Sequence, residues 1–326
     1  MRTPLPAGYT ARHPLPDDAG AIVEMVNRSS VAYSGVPIVN VEQLRAMWGA
    51  PGHVPEDDWI ATTPDGAVVA VATIFALEPC TEVQALGVVH PEHERRGLGA
   101  WALGRSEERA QHYLAQAPAE AAVTLYTQSF GANARAAELY RAHDFALTRV
   151  FKLMMHDFDV DSPPPPATPP AGITFRTFVR GQDERAAWRA AEESFEDHWN
   201  HTELPLETWT QILIDGMANF DPDLWWLALE GDEVVGVALC DPSAPGQPDY
   251  GWVATLGVRR PWRGRGIAKA LLAQVFADSY QRGKRGVGLG VDSQSATGAH
   301  LLYERAGMHV VTDSVVYAKQ LRASKA

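Results

Sequence analysis

The chain repeats itself once. Residues 83–103, VQALGVVHPEHERRGLGAWAL, match residues 252–272, WVATLGVRRPWRGRGIAKALL. Residues 122–145, AVTLYTQSFGANARAAELYRAHDF, match residues 287–308, VGLGVDSQSATGAHLLYERAGM. Earlier segments follow the same order. TARHPLPDDAGAIVEMV and ITFRTFVRGQDERAAWRAAEESF each read as a short strand, a turn and a helix. Apolar runs then follow at 67–77 and 224–240, and in the second the tripeptide GDE signals a hairpin. A constant order at a near-constant offset of about 163–169 residues predicts two copies of one α/β unit.

The stretch DFDVDSPPPPATPPAG at 157–172 holds six prolines. Proline neither donates to a strand ladder nor continues a helix, so this stretch reads as a semi-rigid spacer. The expected division is an N-terminal domain over 1–158, a linker over 159–172 and a C-terminal domain over 173–326. A length of 326 residues suits two domains. With 46% apolar and 21% charged residues the chain reads as an ordinary globular protein, without a run of about 18 apolar residues to cross a membrane. The two cysteines, Cys80 and Cys240, supply neither a disulfide framework nor a zinc site, and no metal is expected. The opening residues lack the apolar centre of a signal peptide, so a cytoplasmic protein is expected. A net charge of −12 argues against nucleic acid as a partner. Any anionic ligand must be held by a local cluster of donors.

Such a cluster stands in LGVRRPWRGRGIAKALLAQVF. Leu256, Gly257 and Val258 end an apolar strand, Arg263-Gly264-Arg265-Gly266 makes a basic turn, and Ile267, Leu271 and Val275 recur at helical spacing. Glycine allows a ligand close to the backbone, and the first amides of the helix point outward with partial positive charge, a geometry that suits phosphates. The turn matches neither a Walker loop nor a dinucleotide fingerprint. Gly286 to Gly290 is also glycine-rich but leads into a strand-like run.

The pattern V-x-x-x-x-[QR]-x-x-G-x-[GA], here Val258, Arg263, Gly266 and Ala268, resembles the acyl-CoA loop of the GNAT superfamily of N-acyltransferases. A second signature of that family, an Asn-containing turn before a helix ending in Tyr-x-x-x-Gly-[Phe/Met], resembles Tyr303 to Met308. Asn133 and Tyr140 to Phe145 supply its counterpart in the first half. Both halves carry both signatures, so the chain resembles tandem GNAT proteins of the mycothiol-synthase type. The resemblance implies an α/β (α+β) protein of two GNAT folds, each a mixed, splayed β-sheet flanked by helices. It also implies acetyl-CoA as co-substrate, with the pantetheine arm along Leu256 to Val258 and the pyrophosphate on the loop amides. A tyrosine protonates the leaving thiolate, and Tyr303 fits that place by motif position, as Tyr140 does in the first half. The corresponding first-half loop is Val89, Arg95, Arg96, Gly97, Leu98 and Gly99.

Each half departs from the pattern. Glu94 stands where the first loop's Gln or Arg belongs, with Arg95 and Arg96 beside it to compensate. Ser295 stands near the asparagine expected in the second half. Many GNAT enzymes place a glutamate six residues before the loop valine, but these positions hold Val83 and Trp252. Glu82 is one residue away and would need a bulge to face correctly. In the second half FEDHWNH at 195–201 offers His198, which titrates near neutrality, with Asp197 and Glu203 as alternatives. Trp199, Trp209 and Trp252 are expected beside the acceptor. The resulting expectation is an N-acetyltransferase acting on a small-molecule amine, as a monomer or homodimer, with the C-terminal domain catalytic. The alternatives are acetylation of a cysteinyl pseudodisaccharide, as in the mycothiol-synthase type, and a non-catalytic acyl-CoA-binding regulator.

Overall fold

A computed structural model describes residues 3–49, 53–199, 201–217, 219–295 and 298–324. It resolves into two compact units. Unit 1 comprises Met1–Phe151 and Thr312–Ala326, and unit 2 comprises Lys152–Val311.

The first half runs β1 (Thr10–Arg12), α1 (Ala19–Ser34), α2 (Val41–Trp48), β2 (Asp58–Thr62), β3 (Val68–Ala76), β4 (Glu82–Val89), α3 (Leu98–Gln116), β5 (Val123–Phe130), α4 (Ala134–Ala142) and β6 (Ala146–Asp157). The second half runs β7 (Ile173–Thr177), α5 (Glu184–Phe195), α6 (Leu206–Thr210), β8 (Trp226–Glu230), β9 (Glu233–Asp241), β10 (Tyr250–Val258), α7 (Ile267–Gln281), β11 (Gly286–Asp292), α8 (Ala299–Arg305) and β12 (His309–Arg322). The hairpin expected around GDE is the β8–β9 pair, with Glu230 opposite Glu233.

Unit 1 orders its strands β1-β2-β3-β4-β5-β12 and unit 2 orders its own β7-β8-β9-β10-β11-β6. Each sheet is mixed, with one parallel pair at its centre: β4 with β5, and β10 with β11. The division differs from the one expected at the prolines. Residues 159–172 lie inside unit 2, after β6, and the last strand of the chain completes unit 1. There Tyr317 of β12 pairs with Thr127 of β5 and packs on Tyr140 at 5.1 Å between ring centroids. The reason is backbone satisfaction. Without β12, the outer edge of β5 would leave its ladder groups unpaired in a buried setting.

The parallel pairs are short. β4 and β5 pair only from Glu82↔Thr124 to Ala85↔Thr127, and β10 and β11 only from Tyr250↔Gly286 to Val253↔Leu289. Beyond those points the strands diverge, and Leu86 to Val89 and Thr255 to Val258 border a split in their own sheet. A bulge lies between Val253 and Thr255, in the pairing of β10 with β9. No described helix is long and apolar enough to cross a membrane.

Candidate active site

In unit 2 the strand β10 feeds the Arg263–Gly266 turn, which opens the 15-residue helix α7. Gly264 and Gly266 hold φ of 79° and 81°, the left-handed region where a side chain would be strained. No atom lies within 4 Å of a Cβ built on Gly264, and only Pro170 comes to 4.0 Å of one on Gly266. The turn is therefore open to a ligand, and its amides and the head of α7 suit the phosphates of acetyl-CoA. Arg265 reaches back to Glu230 at 2.7 Å and is half exposed. Arg263 braces the loop from inside. Its guanidinium donates to the Val258 carbonyl at 3.1 Å, the Ser194 carbonyl at 2.9 Å and the Asp197 carboxylate at 3.2 Å.

Asp197 also accepts from Arg260, and these two arginines hold its carboxyl below the usual carboxylate range. A carboxylate so engaged positions the loop and is a poor base. Glu203 is exposed. His198 is different. Burial pushes its imidazole below the ordinary histidine value, with Asp292 at the end of β11 opposing that shift and Arg263 adding to it. The ring lies 4.2 Å from that of Phe195. So His198 directly follows Asp197, which Arg263 ties to the loop after β10, and it is neutral at neutral pH. Tyr303 on α8 is 7% exposed and packs in the same apolar cluster as Leu256, Val258, Ile267 and Ala268. Burial pushes its phenol up to about 12, so it carries its proton at neutral pH. Ser295 stands in the turn after β11, where its amide donates to the Asp292 carbonyl at 3.1 Å. Among the tryptophans, Trp209 is a core residue, edge-on to Trp225 at 5.5 Å, and does not border the split.

Unit 1 builds the same parts around a cavity of about 640 Å³. Val89, Arg95, Gly97, Gly99, Asn133 and Tyr140 all line it, as do Leu86 to Val88 and Thr127 to Phe130 from the two diverging strands. Arg96 and Leu98 do not; Leu98 is 1% exposed and belongs to the core beneath α3. The Asn133 side chain caps α4 by accepting from the Ala136 amide at 3.0 Å. The Tyr140 hydroxyl donates to the Gln128 carbonyl at 3.2 Å, and burial raises its pKa. The Glu94 carboxylate, which sequence alone makes unwelcome, is accounted for: it accepts from the Tyr33 hydroxyl at 2.5 Å and pairs with Arg135. Tyr33 and Arg135 were invisible in the sequence, because their meeting depends on the approach of α1 and α4. Glu82 sits at the zipped end of the β4–β5 pair, opposite Thr124. No bulge interrupts β4 against β3 from Val83 to Val89, so nothing turns Glu82 toward the cavity.

Two sheets of one strand order, each split beyond a central parallel pair above a glycine turn, define a duplicated acyl-CoA-dependent acyltransferase. The chain belongs to the GNAT acetyltransferase family. A profile described as the acetyltransferase (GNAT) family matches residues 185–308, within unit 2. A mycothiol acetyltransferase from Geodermatophilus obscurus is 31% identical, over 89% of this chain and 91% of its own. A GCN5-related N-acetyltransferase from Sphaerobacter thermophilus is 36% identical with a TM-score of 0.86, covering 99% of this chain and 98% of that one. A tandem GNAT protein from the clavulanic acid biosynthesis pathway, 14% identical, shares the fold with a TM-score of 0.69 over 97% of this chain and all of its own. The protein is thus an acetyl-CoA-dependent N-acetyltransferase.

Proposed function

We propose that unit 2 carries the reaction and that the acceptor is the amine of a small molecule. The observation that supports this best is the mouth of the β10–β11 split. There an open glycine turn is braced by Arg263, which binds Asp197, the neighbour of the neutral His198. The turn amides of Gly264 to Ile267 hold the pyrophosphate, and the backbone of Thr255 to Gly257 that faces away from β9 pairs with the pantetheine arm. The acceptor nitrogen attacks the thioester carbonyl, and His198 takes the amine proton directly or through one water. The carbon–sulfur bond breaks, and the Tyr303 phenol gives its proton to the departing thiolate. A phenol pushed up to about 12 remains protonated until that thiolate forms.

A second reading, acetylation of a cysteinyl pseudodisaccharide, draws support from the relatives named mycothiol acetyltransferase. Both readings are tested by following thiol release from acetyl-CoA with a panel of small amines that includes the cysteinyl pseudodisaccharide. We expect Arg263→Ala to lower kcat/KM by about 10-fold or more, because it removes the brace and a positive charge beside the phosphates. Unchanged turnover in Arg263→Ala, together with loss in Arg95→Ala, would assign the reaction to unit 1.

A further inference from the structure

We infer that the cavity of unit 1 is an acyl-chain site that takes a thioester of coenzyme A with a chain longer than acetyl. This goes beyond the acetyl transfer assigned to unit 2. The cavity has two walls of different character. One is the split between β4 and β5, where the backbone of Leu86 to Val89 lacks a partner on the β5 side, a place for the amides of a pantetheine arm. The other wall starts at the split with Val88 and runs under the first two helices, and it is mostly apolar, with Ser29 and Ser30 of α1 and Thr73 of β3 as its polar members. Val26 of α1, Leu44 of α2, and Val71 and Val88 of the sheet face it. These four side chains pack on the buried Ile22 and Met25, yet each stays only half buried. On strands at the centre of a sheet covered by helices, half-buried valines mean that space has been left beside them.

The cavity, about 640 Å³ with the loop, the split and this wall included, lies within the range of ~300–1,000 Å³ typical of small-molecule sites. The wall carries no carboxylate or amine for a polar acceptor; the charged pair Glu94–Arg135 stands at the loop side, tied to Tyr33. A flexible alkyl chain is the occupant that fits: it needs no hydrogen bonds and gains roughly 0.8 kcal/mol for each methylene removed from water, close to a fourfold gain in affinity.

The test is a binding titration of the full chain with acetyl-CoA and octanoyl-CoA, beside acetyl- and octanoyl-pantetheine. The octanoyl forms are expected to bind about 30-fold tighter or more, in both the CoA and the pantetheine arms, because the chain carries the preference. Val26→Trp and Leu44→Trp each fill the wall from a different helix and should abolish the preference, with a thermal melt confirming that each variant is folded. Equal affinity for the two chain lengths overturns the inference, as does a preference that survives both folded variants. Acetyl transfer in the same preparations is read separately, and on the assignment to unit 2 it persists in both variants, so failure of one reading leaves the other standing.

Discussion

Units 1 and 2 carry the same strand order, but their first helices meet the sheet differently. Helix α5 buries Ala187, Ala190, Ala191 and Ser194 against the sheet, and small side chains let it come close. On β10 it meets Gly257, where an added Cβ would stand 2.6 Å from the Cβ of Ser194. Helix α1 buries Ile22 and Met25 beside the small Ala19, Ser29, Ser30 and Ser34. One residue before the last valine of its strand, where unit 2 has Gly257, unit 1 has Val88. The cavity lies between α1 and this strand, where Ile22, Val26 and Val88 line it. The interiors reflect this. Unit 2 has one continuous apolar cluster reaching from α5 to α7, whereas the interior of unit 1 falls into three. Duplication preserved the loop and the split, while the residues where the first helix meets the sheet differ between the copies.

The largest expected effect separates the two tyrosines. Tyr303→Phe keeps the ring and its packing but removes the proton, so kcat should fall by roughly 10²–10⁴ with little change in acetyl-CoA affinity. Tyr140→Phe should stay close to the parent. Steady-state kinetics with one working acceptor decides; a larger loss in Tyr140→Phe would reverse the roles of the units.

A smaller effect tests the helix approach itself. Gly257→Leu forces α5 off β10 and should cost about 1–3 kcal/mol of stability or more, read from urea unfolding. Val88→Ala removes two methyls beside an existing cavity and should cost only about 1 kcal/mol. Equal costs would mean that the two helices sit alike.

The smallest effect is in the pH profile. Because burial lowers the pKa of His198, the imidazole remains a base until the pH falls through that lowered value. The acid limb of kcat/KM should therefore lie below the ordinary 6.5. His198→Gln should remove that limb and slow the reaction several-fold. An unchanged limb would point to another group.

Much of this was legible in the sequence, since the signals were local. The glycine turns, the helices they open and the GDE hairpin each depend on residues a few positions apart. Gly264 and Gly266 are recognisable because only glycine holds such φ values without strain. What escaped depends on contacts between distant elements. The bond of Glu94 to Tyr33 joins positions 61 residues apart. The large cavity in unit 1 is lined by elements far apart in the sequence, which no motif records. The proline-rich stretch was a real break in regular structure, but a break in secondary structure is not a domain boundary. The strand that completes unit 1 comes from the far end of the chain.

That last strand has a consequence for how the protein is made. A ribosome working from the N-terminus delivers β1 to β5 early, but β12 only after unit 2, so unit 1 waits with the edge of β5 bare through the whole synthesis of unit 2. Unit 2 needs only Lys152–Val311 and can close first. The half written first is finished last, and a chain stopped a dozen residues short would leave an open sheet edge ready to pair with a neighbour.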